Sequence, residues 1–421
     1  MTEKLPDSSI GVNVVGAVTG EYGLGEATRG TLRSMNAANV PFAVKKVEVG
    51  WHRHLDTTFA DYVSDDTPYS INLVHTNPDH TLYNSLGLEF FEGKYNIGYW
   101  SWELPELHES WGYAFDFFDE IWTLSNYSAE AICNVSPIPV VKVMPSILMP
   151  EPSVDRDALG LPKDKFIYLF MFDFHSTLAR KNPEATIEAF KKAFSKSNTD
   201  DVLLVIKFSN AKYFPEGRKY LTSLMEGMPS IKFIDGHLKK EELHGLLNSC
   251  DCYVSLHRAE GFGLTMAETM FYGKPVITTG YSSNIEFMNV GNSFLVKYKL
   301  VKIVNDAGPY FRGSIWAEPD VDHAAYLMRY VFNNYDQAKK VGARAAKEVR
   351  EILSPETIGQ RIRNRVEHIA KLIENGQYRS RDNKIYQLQA EKGGINNQIK
   401  AWQKTAKEME KELRHYKSQL A

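Results

Sequence analysis

HRAEGFGLTMAETMFYGKPVITT, from His257 to Thr279, is the stretch whose reading decides the fold. Ahead of it, Asp251 to Leu256 has the composition of a short buried strand. Leu264 to Tyr272 has the apolar spacing of a packed helix. Gly273 ends that helix, Pro275 prevents its continuation, and Val276 to Thr278 open the next buried strand. Between strand and helix lie Glu260, Gly261, Phe262 and Gly263, so a carboxylate sits beside backbone that can approach a ligand closely. Glu268 follows one helical turn beyond Leu264. Both acids therefore flank a helix mouth whose unpaired amides favour an anion such as a diphosphate.

A ligand that is anionic in the middle and rich in hydroxyls at both ends suits this arrangement, because carboxylates accept hydrogen bonds from hydroxyls and repel phosphates. A sugar nucleotide has that pattern. The segment, with EGFG, a small-residue helix, AE and then YGKPVI, resembles the E-x7-E signature of the retaining, GT-B-fold glycosyltransferases of family 4. The resemblance implies two Rossmann-like domains facing a cleft, with Glu260 on hydroxyls of the transferred sugar, Glu268 on the ribose, and Leu264 at the helix mouth. The competing reading makes Glu260 a helix cap and Glu268 a solvated helix residue.

Strands and helices alternate on both sides of this segment. Ile10 to Val15 reads as a first strand, the loop Gly16 to Gly25 leads into a helix from about Glu26 to Ala38, and buried strands follow at Ile71 to Val74, Tyr95 to Tyr99, Ile121 to Thr123 and Val140 to Met144. Pro145, Pro150 and Pro152 mark a stiff linker. A second series then runs through Phe166 to Phe172, Val202 to Phe208, Ser230 to Ile234, Asp251 to Leu256 and Pro275 to Thr278. Such alternation predicts an α/β protein with a parallel sheet in each half, residues 1–150 on the acceptor side and 151–375 on the donor side. Ligands of such sheets bind outside the carboxyl ends of the strands.

In FDFHSTLARKNPEATIEAFKKAF, Arg180 and Lys181 precede Asn182 and Pro183, and Pro183 suits the first turn of a helix to Phe194. Two cations there would neutralise a departing diphosphate. In the resembled family an arginine and a lysine share this task; Lys181 matches the lysine and His175 stands where the arginine is expected, so either Arg180 substitutes or the phosphate is held differently. The alternative is an exposed, solvated Arg-Lys pair. In the first half, Gly20, Gly23 and Gly25 precede a helix without the G-x-G-x-x-G order. The resemblance turns this loop, with Leu24 and Glu26, toward the donor phosphates and acceptor. Two further strand ends, HTNPDH from His75 and YWSWELPELHESW from Tyr99, project into the same region. Trp100, Trp102 and Glu103 suit stacking on and hydrogen bonding to sugars, or else a buried aromatic cluster. Glu103 stands in for a histidine that many relatives carry near this strand end. Ile234 to Leu238, with Gly236, occupy the edge at which the family binds the base.

Composition excludes several classes. At 421 residues with 43% hydrophobic and 24% charged side chains, the chain can bury more than one core, and a net charge of −3 offers no general basic surface for nucleic acid. No apolar run reaches bilayer length and MTEKLPDSS lacks a signal-peptide core, so the expected location is cytoplasmic, including the inner membrane face. Cys133, Cys250 and Cys252 give no disulfide framework, and the latter two read as core. His52 and His54, beside Trp51, lack companion ligands and read as surface residues. Asp200 and Asp201 read as solvated, so no metal site is expected.

After NGQYRSRDN, residues 376–421 form a tail in which Ile395, Ile399, Trp402, Ala406, Met409, Leu413, Tyr416 and Leu420 alternate spacings of four and three. That is a coiled-coil seam, pointing to a homo-oligomer or a helical partner; an amphipathic helix on its own domain is the competing view. Ile385, Leu388 and Lys392 extend it backwards across Gly393 and Gly394, which weaken the helix. The expected function is transfer of a hexose from a nucleotide diphosphate sugar to a glycan or lipid-linked acceptor in surface polysaccharide synthesis. The resemblance of GEYGLGE, WELP and RKNP to bacterial polysaccharide mannosyltransferases makes GDP-mannose the first donor. Alternatives are a non-catalytic nucleotide- or glycan-binding scaffold and a GT-B sugar-nucleotide epimerase.

Overall fold

The computed structural model describes residues 10–48, 52–194, 200–378, 399–400 and 402–403. Two six-stranded sheets, parallel throughout, form the framework. The first is built from β1 (Val12–Gly16), β2 (Phe42–Lys46), β3 (Ile71–His75), β4 (Tyr95–Trp100), β5 (Glu120–Thr123) and β6 (Val140–Lys142), in the order β2-β1-β3-β4-β5-β6. The second comprises β7 (Phe166–Asp173), β8 (Val202–Ser209), β9 (Ile231–Asp235), β10 (Cys252–Ser255), β11 (Val276–Thr279) and β12 (Phe294–Val296), in the order β12-β11-β10-β7-β8-β9. The predicted strands are all present. Central strands read as largely apolar runs because both faces are covered: β8 is buried along its whole length and is broken in composition only near its end, by Lys207 and Ser209. The edge strand β2 was not foreseen, since FAVKK carries lysines at its exposed end and has only one fully buried residue, Val44. Also unforeseen is an antiparallel hairpin of β13 (Tyr298–Lys302) and β14 (Ile315–Pro319).

In the second sheet the strand order reverses between β7 and β10, and in the first between β1 and β3. Each reversal opens a crevice at the carboxyl ends of its strands. The two crevices face each other. The helix Pro355–Glu374 crosses back to the first sheet, where a Cβ on Gly359 would lie 2.2 Å from the Ser34 carbonyl oxygen of the helix Gly23–Ala37. Only a glycine allows that approach. Arg365 pairs there with Glu120, which is fully buried.

Both flanks of the cleft are bridged. On one, Lys142 pairs with Glu286 at 3.1 Å, Glu286 also accepts the Asn126 backbone N–H at 2.5 Å, and Ser125 and Ser283 share a 2.8 Å hydrogen bond. On the other, Lys240 pairs with Asp56, which also lies 3.3 Å from Arg29. Cys250 and Cys252 are core residues, and Asp200 and Asp201 are exposed, as their sequence context implied. Among the described residues no helix is long and apolar enough to cross a membrane. The expected coiled coil falls almost wholly outside the described residues; Ile399 and Trp402, which are within them, are exposed at 41% and 70%.

Candidate active site

A cavity of about 500 Å³ lies between the domains, within the range of small-molecule sites. Strand ends and helix starts supply its walls. From the first domain come Tyr22, Gly23 and Leu24, the strand-end residues Asn77 and Ser101 to Glu103, and His52; from the second come Asp173, His175, Arg180, Lys181, Lys207, Ser209 and Glu260 to Thr265.

The charged centre is the group Glu260, Lys181, Arg180 and Glu103. Lys181 Nζ donates to Glu260 Oε1, and Arg180 Nη1 lies 3.5 Å from the same oxygen while donating to the Ala259 carbonyl at 2.9 Å. Glu260 Oε2 makes no hydrogen bond with the described residues. Burial pushes the Glu260 carboxyl up, but Lys181 and Arg180 outweigh it and hold the group at about 2. Burial lowers Lys181 from its ordinary value despite the carboxylate. Arg180, 5% exposed, is buried rather than solvated, and its guanidinium sits over the Tyr310 ring at 5.8 Å. Across the cleft, Glu103 reaches toward Gly261, where a Cβ would come within 3.4 Å of its carboxylate. Burial raises its carboxyl above the ordinary range, against the opposing charges of Arg180 and Lys181.

The backbone that presents these groups is held in costly conformations. Among the described residues five non-glycines have positive φ, and four of them frame this site: Thr177 (φ 70°), Asn182 (φ 53°), Asn210 (φ 64°) and Ser282 (φ 73°). Each such residue costs about 1–3 kcal/mol, so the surrounding contacts must enforce it. Thr177 and Asn182 bracket the short turn Leu178–Lys181 that carries both cations. Ser282 accepts the Glu260 backbone N–H at 2.9 Å, and Asn210 donates to Asp173 at 2.7 Å. Gly263 caps the helix Leu264–Phe271 at φ 98°, where a side chain would also strike Met266.

Several expectations need correction. Gly23 and Gly25 lie inside the first turn of the helix Gly23–Ala37, not in a loop before it. Gly25 does not line the cavity: a Cβ there would sit 2.2 Å from the Gly20 carbonyl, so its role is close packing of helix on loop. Glu268 is set back one turn behind Leu264 and is absent from the cavity wall. Burial, with the Glu26 charge adding to it and Arg33 and Arg29 opposing, raises its carboxyl to about 7. Gly236, at φ 124° beyond β9, is likewise outside the cavity, its N–H bound to the Phe208 carbonyl at 2.9 Å. Trp100 is fully buried against Phe115 and belongs to the core, whereas Trp102 reaches the cavity edge. His52 is no surface residue: its ring stacks on Tyr22 at 3.9 Å and meets His175 at 5.3 Å. His175 does line the cavity, and its Nε2 is buried without a hydrogen bond.

Sequence reading missed Asp173, Lys207, Ser209, Tyr22 and Tyr310 on the walls. One signal was available: Lys207 interrupts an apolar strand run, a position where a lysine is expensive. Among the described residues no three His, Cys, Asp or Glu side chains group to hold a metal ion.

Facing Rossmann-like domains with a site at both switch points define the GT-B architecture. Residues 153–348 match the family described as glycosyl transferases group 1. No curated protein matches the chain. Among solved structures, the HepE protein of Anabaena, solved in complex with UDP and glucose, is 14% identical with a TM-score of 0.62, over 85% of this chain and 100% of that one. Sucrose-phosphate synthase of Thermosynechococcus elongatus is 13% identical with a TM-score of 0.63, over 86% and 99%. A glycosyltransferase of Rickettsia africae is 14% identical with a TM-score of 0.60, over 86% and 98%. At these identities the likeness establishes the shared fold. With the family match to the second domain, it supports a GT-B glycosyltransferase.

Proposed function

We propose that this protein transfers a hexose from a nucleoside diphosphate sugar to a hydroxyl of a glycan or lipid-linked acceptor, with retention of anomeric configuration and without a metal ion. The observation that carries the reading is the Lys181–Glu260–Arg180 group on the second domain, faced by Glu103 of the first across one cavity. Glu260 Oε1 is committed to the two cations, so Oε2 is the atom that accepts a sugar hydroxyl. As the bond from the anomeric carbon to the diphosphate lengthens, charge develops beside Lys181 and Arg180 in a water-poor cleft, where fixed cations are most effective. The sugar becomes oxocarbenium-like, and a donor phosphate oxygen takes the proton of the acceptor hydroxyl entering on the same face. Glu103, on the opposite wall, hydrogen-bonds a hydroxyl of the sugar.

The base and sugar are the finer part of the reading. HepE has been solved with UDP-glucose, and a pneumococcal O-GlcNAc transferase, with a TM-score of 0.50, in complex with UDP and GlcNAc. Uridine nucleotides therefore come before GDP-mannose in a donor screen. Nucleoside diphosphate release from UDP-glucose, UDP-GlcNAc, GDP-mannose and ADP-glucose, with and without glycan acceptors, is the direct test. One donor should turn over, and Glu260→Gln and Lys181→Met should each lower kcat by about 100-fold or more. Turnover unchanged in Glu260→Gln sinks the assignment. A scaffold would bind nucleotide without turnover, and an epimerase would isomerise the donor with no acceptor present.

A further inference from the structure

Three full cations line the cavity: Arg180, Lys181 and Lys207. The first two are committed to Glu260. Lys207 is 9% exposed, yet it makes no hydrogen bond or ion pair with the described residues. The nearest acid in sequence register is Asp173, since Met171 pairs with Lys207 and Asp173 with Ser209 across the β7–β8 ladder. Its carboxylate is already occupied: Ser209 Oγ and the Asn210 amide each donate to it at 2.7 Å, and the His175 backbone N–H at 2.8 Å. Burial accordingly pushes the Lys207 ammonium below its ordinary value, with only partial relief from Asp173.

A buried charge is retained at a cavity wall only at considerable cost unless something compensates it. Among the described residues only Asp173 does so, and only in part. The position where the resembled family carries a phosphate-binding arginine is His175, which lines the same wall. We propose that Lys207 is a binding residue for the diphosphate of the donor, supplying from β8 a cation that is not committed to Glu260. The inference rests on the nucleotide-sugar reading of this cavity and assigns a residue that reading leaves without a role. The described residues compensate the ammonium only in part; a diphosphate would pair with it in a charge-assisted hydrogen bond.

The test is calorimetric titration of the full chain, wild type, Lys207→Met and Lys207→Arg, with UDP, GDP, uridine, guanosine and inorganic pyrophosphate. Wild type should bind pyrophosphate and one of the two nucleoside diphosphates. Lys207→Met should weaken both by tenfold or more while changing affinity for the matching nucleoside less than twofold, and Lys207→Arg should restore most of the loss. The melting temperature of Lys207→Met without ligand should equal or exceed that of wild type, because an unpaired buried charge has been removed. If Lys207→Met binds the diphosphate like wild type, the inference is overturned while the donor reading stands. If it loses diphosphate and nucleoside equally, Lys207 serves the base or the fold and the inference also fails. Pyrophosphate binding that depends on Lys207 in a protein that binds neither nucleotide would keep the inference and refute the donor reading. Binding of neither refutes both.

Discussion

Replacing Glu260 by glutamine keeps the shape of the side chain and removes its charge, leaving Lys181 and Arg180 buried without their counterion. A carboxyl held at about 2 against its ordinary 4.5 corresponds to about 3 kcal/mol of preference for the ionised form. Deleting one partner of a buried pair costs a similar amount, about 3–5 kcal/mol. Because the folded-state value is depressed, this contribution is complete above 4.5 and disappears as pH falls through 2. Urea unfolding of wild type and Glu260→Gln should therefore differ by about 3 kcal/mol at pH 7 and by about 1–1.5 kcal/mol at pH 3, the wild type being more stable at both. A difference below about 1 kcal/mol at pH 7, or one that stays constant between the two pH values, would refute the account of Glu260 as the counterion of both cations. Acids remote from Glu260 titrate over the same range, but they are common to the two proteins and cancel in the difference; Glu103, whose carboxyl the Glu260 charge helps to raise, does not.

Glu268 should behave in the opposite sense: its folded-state carboxyl is raised to about 7, so its destabilising contribution is absent below 4.5, grows as pH rises, and is complete above 7. Glu268→Gln should gain up to about 3 kcal/mol over wild type at pH 8 and nothing at pH 4, read from paired unfolding curves; a pH-independent difference contradicts the raised carboxyl of Glu268. Glu286→Ala removes both the Lys142 pair and the hydrogen bond from the Asn126 backbone that bridge one flank of the cleft. Small-angle scattering should report a larger radius of gyration for that variant, and an unchanged radius would show that these contacts do not hold the cleft closed. Gly25→Ala places a methyl 2.2 Å from the Gly20 carbonyl and should cost about 1–3 kcal/mol through overpacking; a melting temperature equal to that of wild type would contradict the close approach.

How far the site could be read in advance varied with the distance over which its parts interact. Lys181, Arg180 and Glu260 were each visible as chemistry within a local motif, and the helix Pro183–Phe194 matches its expected bounds because proline fixes the first turn. That the two cations close on Glu260 was not visible, since 79 residues separate Lys181 from it. Glu268 shows the converse. Its spacing suggested a partner of Glu260 at the cavity, but it is off the cavity wall, and its carboxyl responds to burial and to the Glu26 charge.

The alternation of apolar runs with helices, the glycine and proline punctuation and the two-acid segment were enough to determine an α/β chain of two parallel-sheet halves with its chemistry at strand ends. Those features are local, governed by backbone conformation and by the periodicity of burial. Which cations are neutralised and which are left facing the cavity was decided only when the two sheets met. Electrostatic pairing depends on separations of a few ångströms between groups distant in the chain, and no spacing in the sequence fixes them. Lys207 is the plainest case: in the sequence it is a lysine out of place in a strand, and in the folded protein it is a buried cation on the cavity wall.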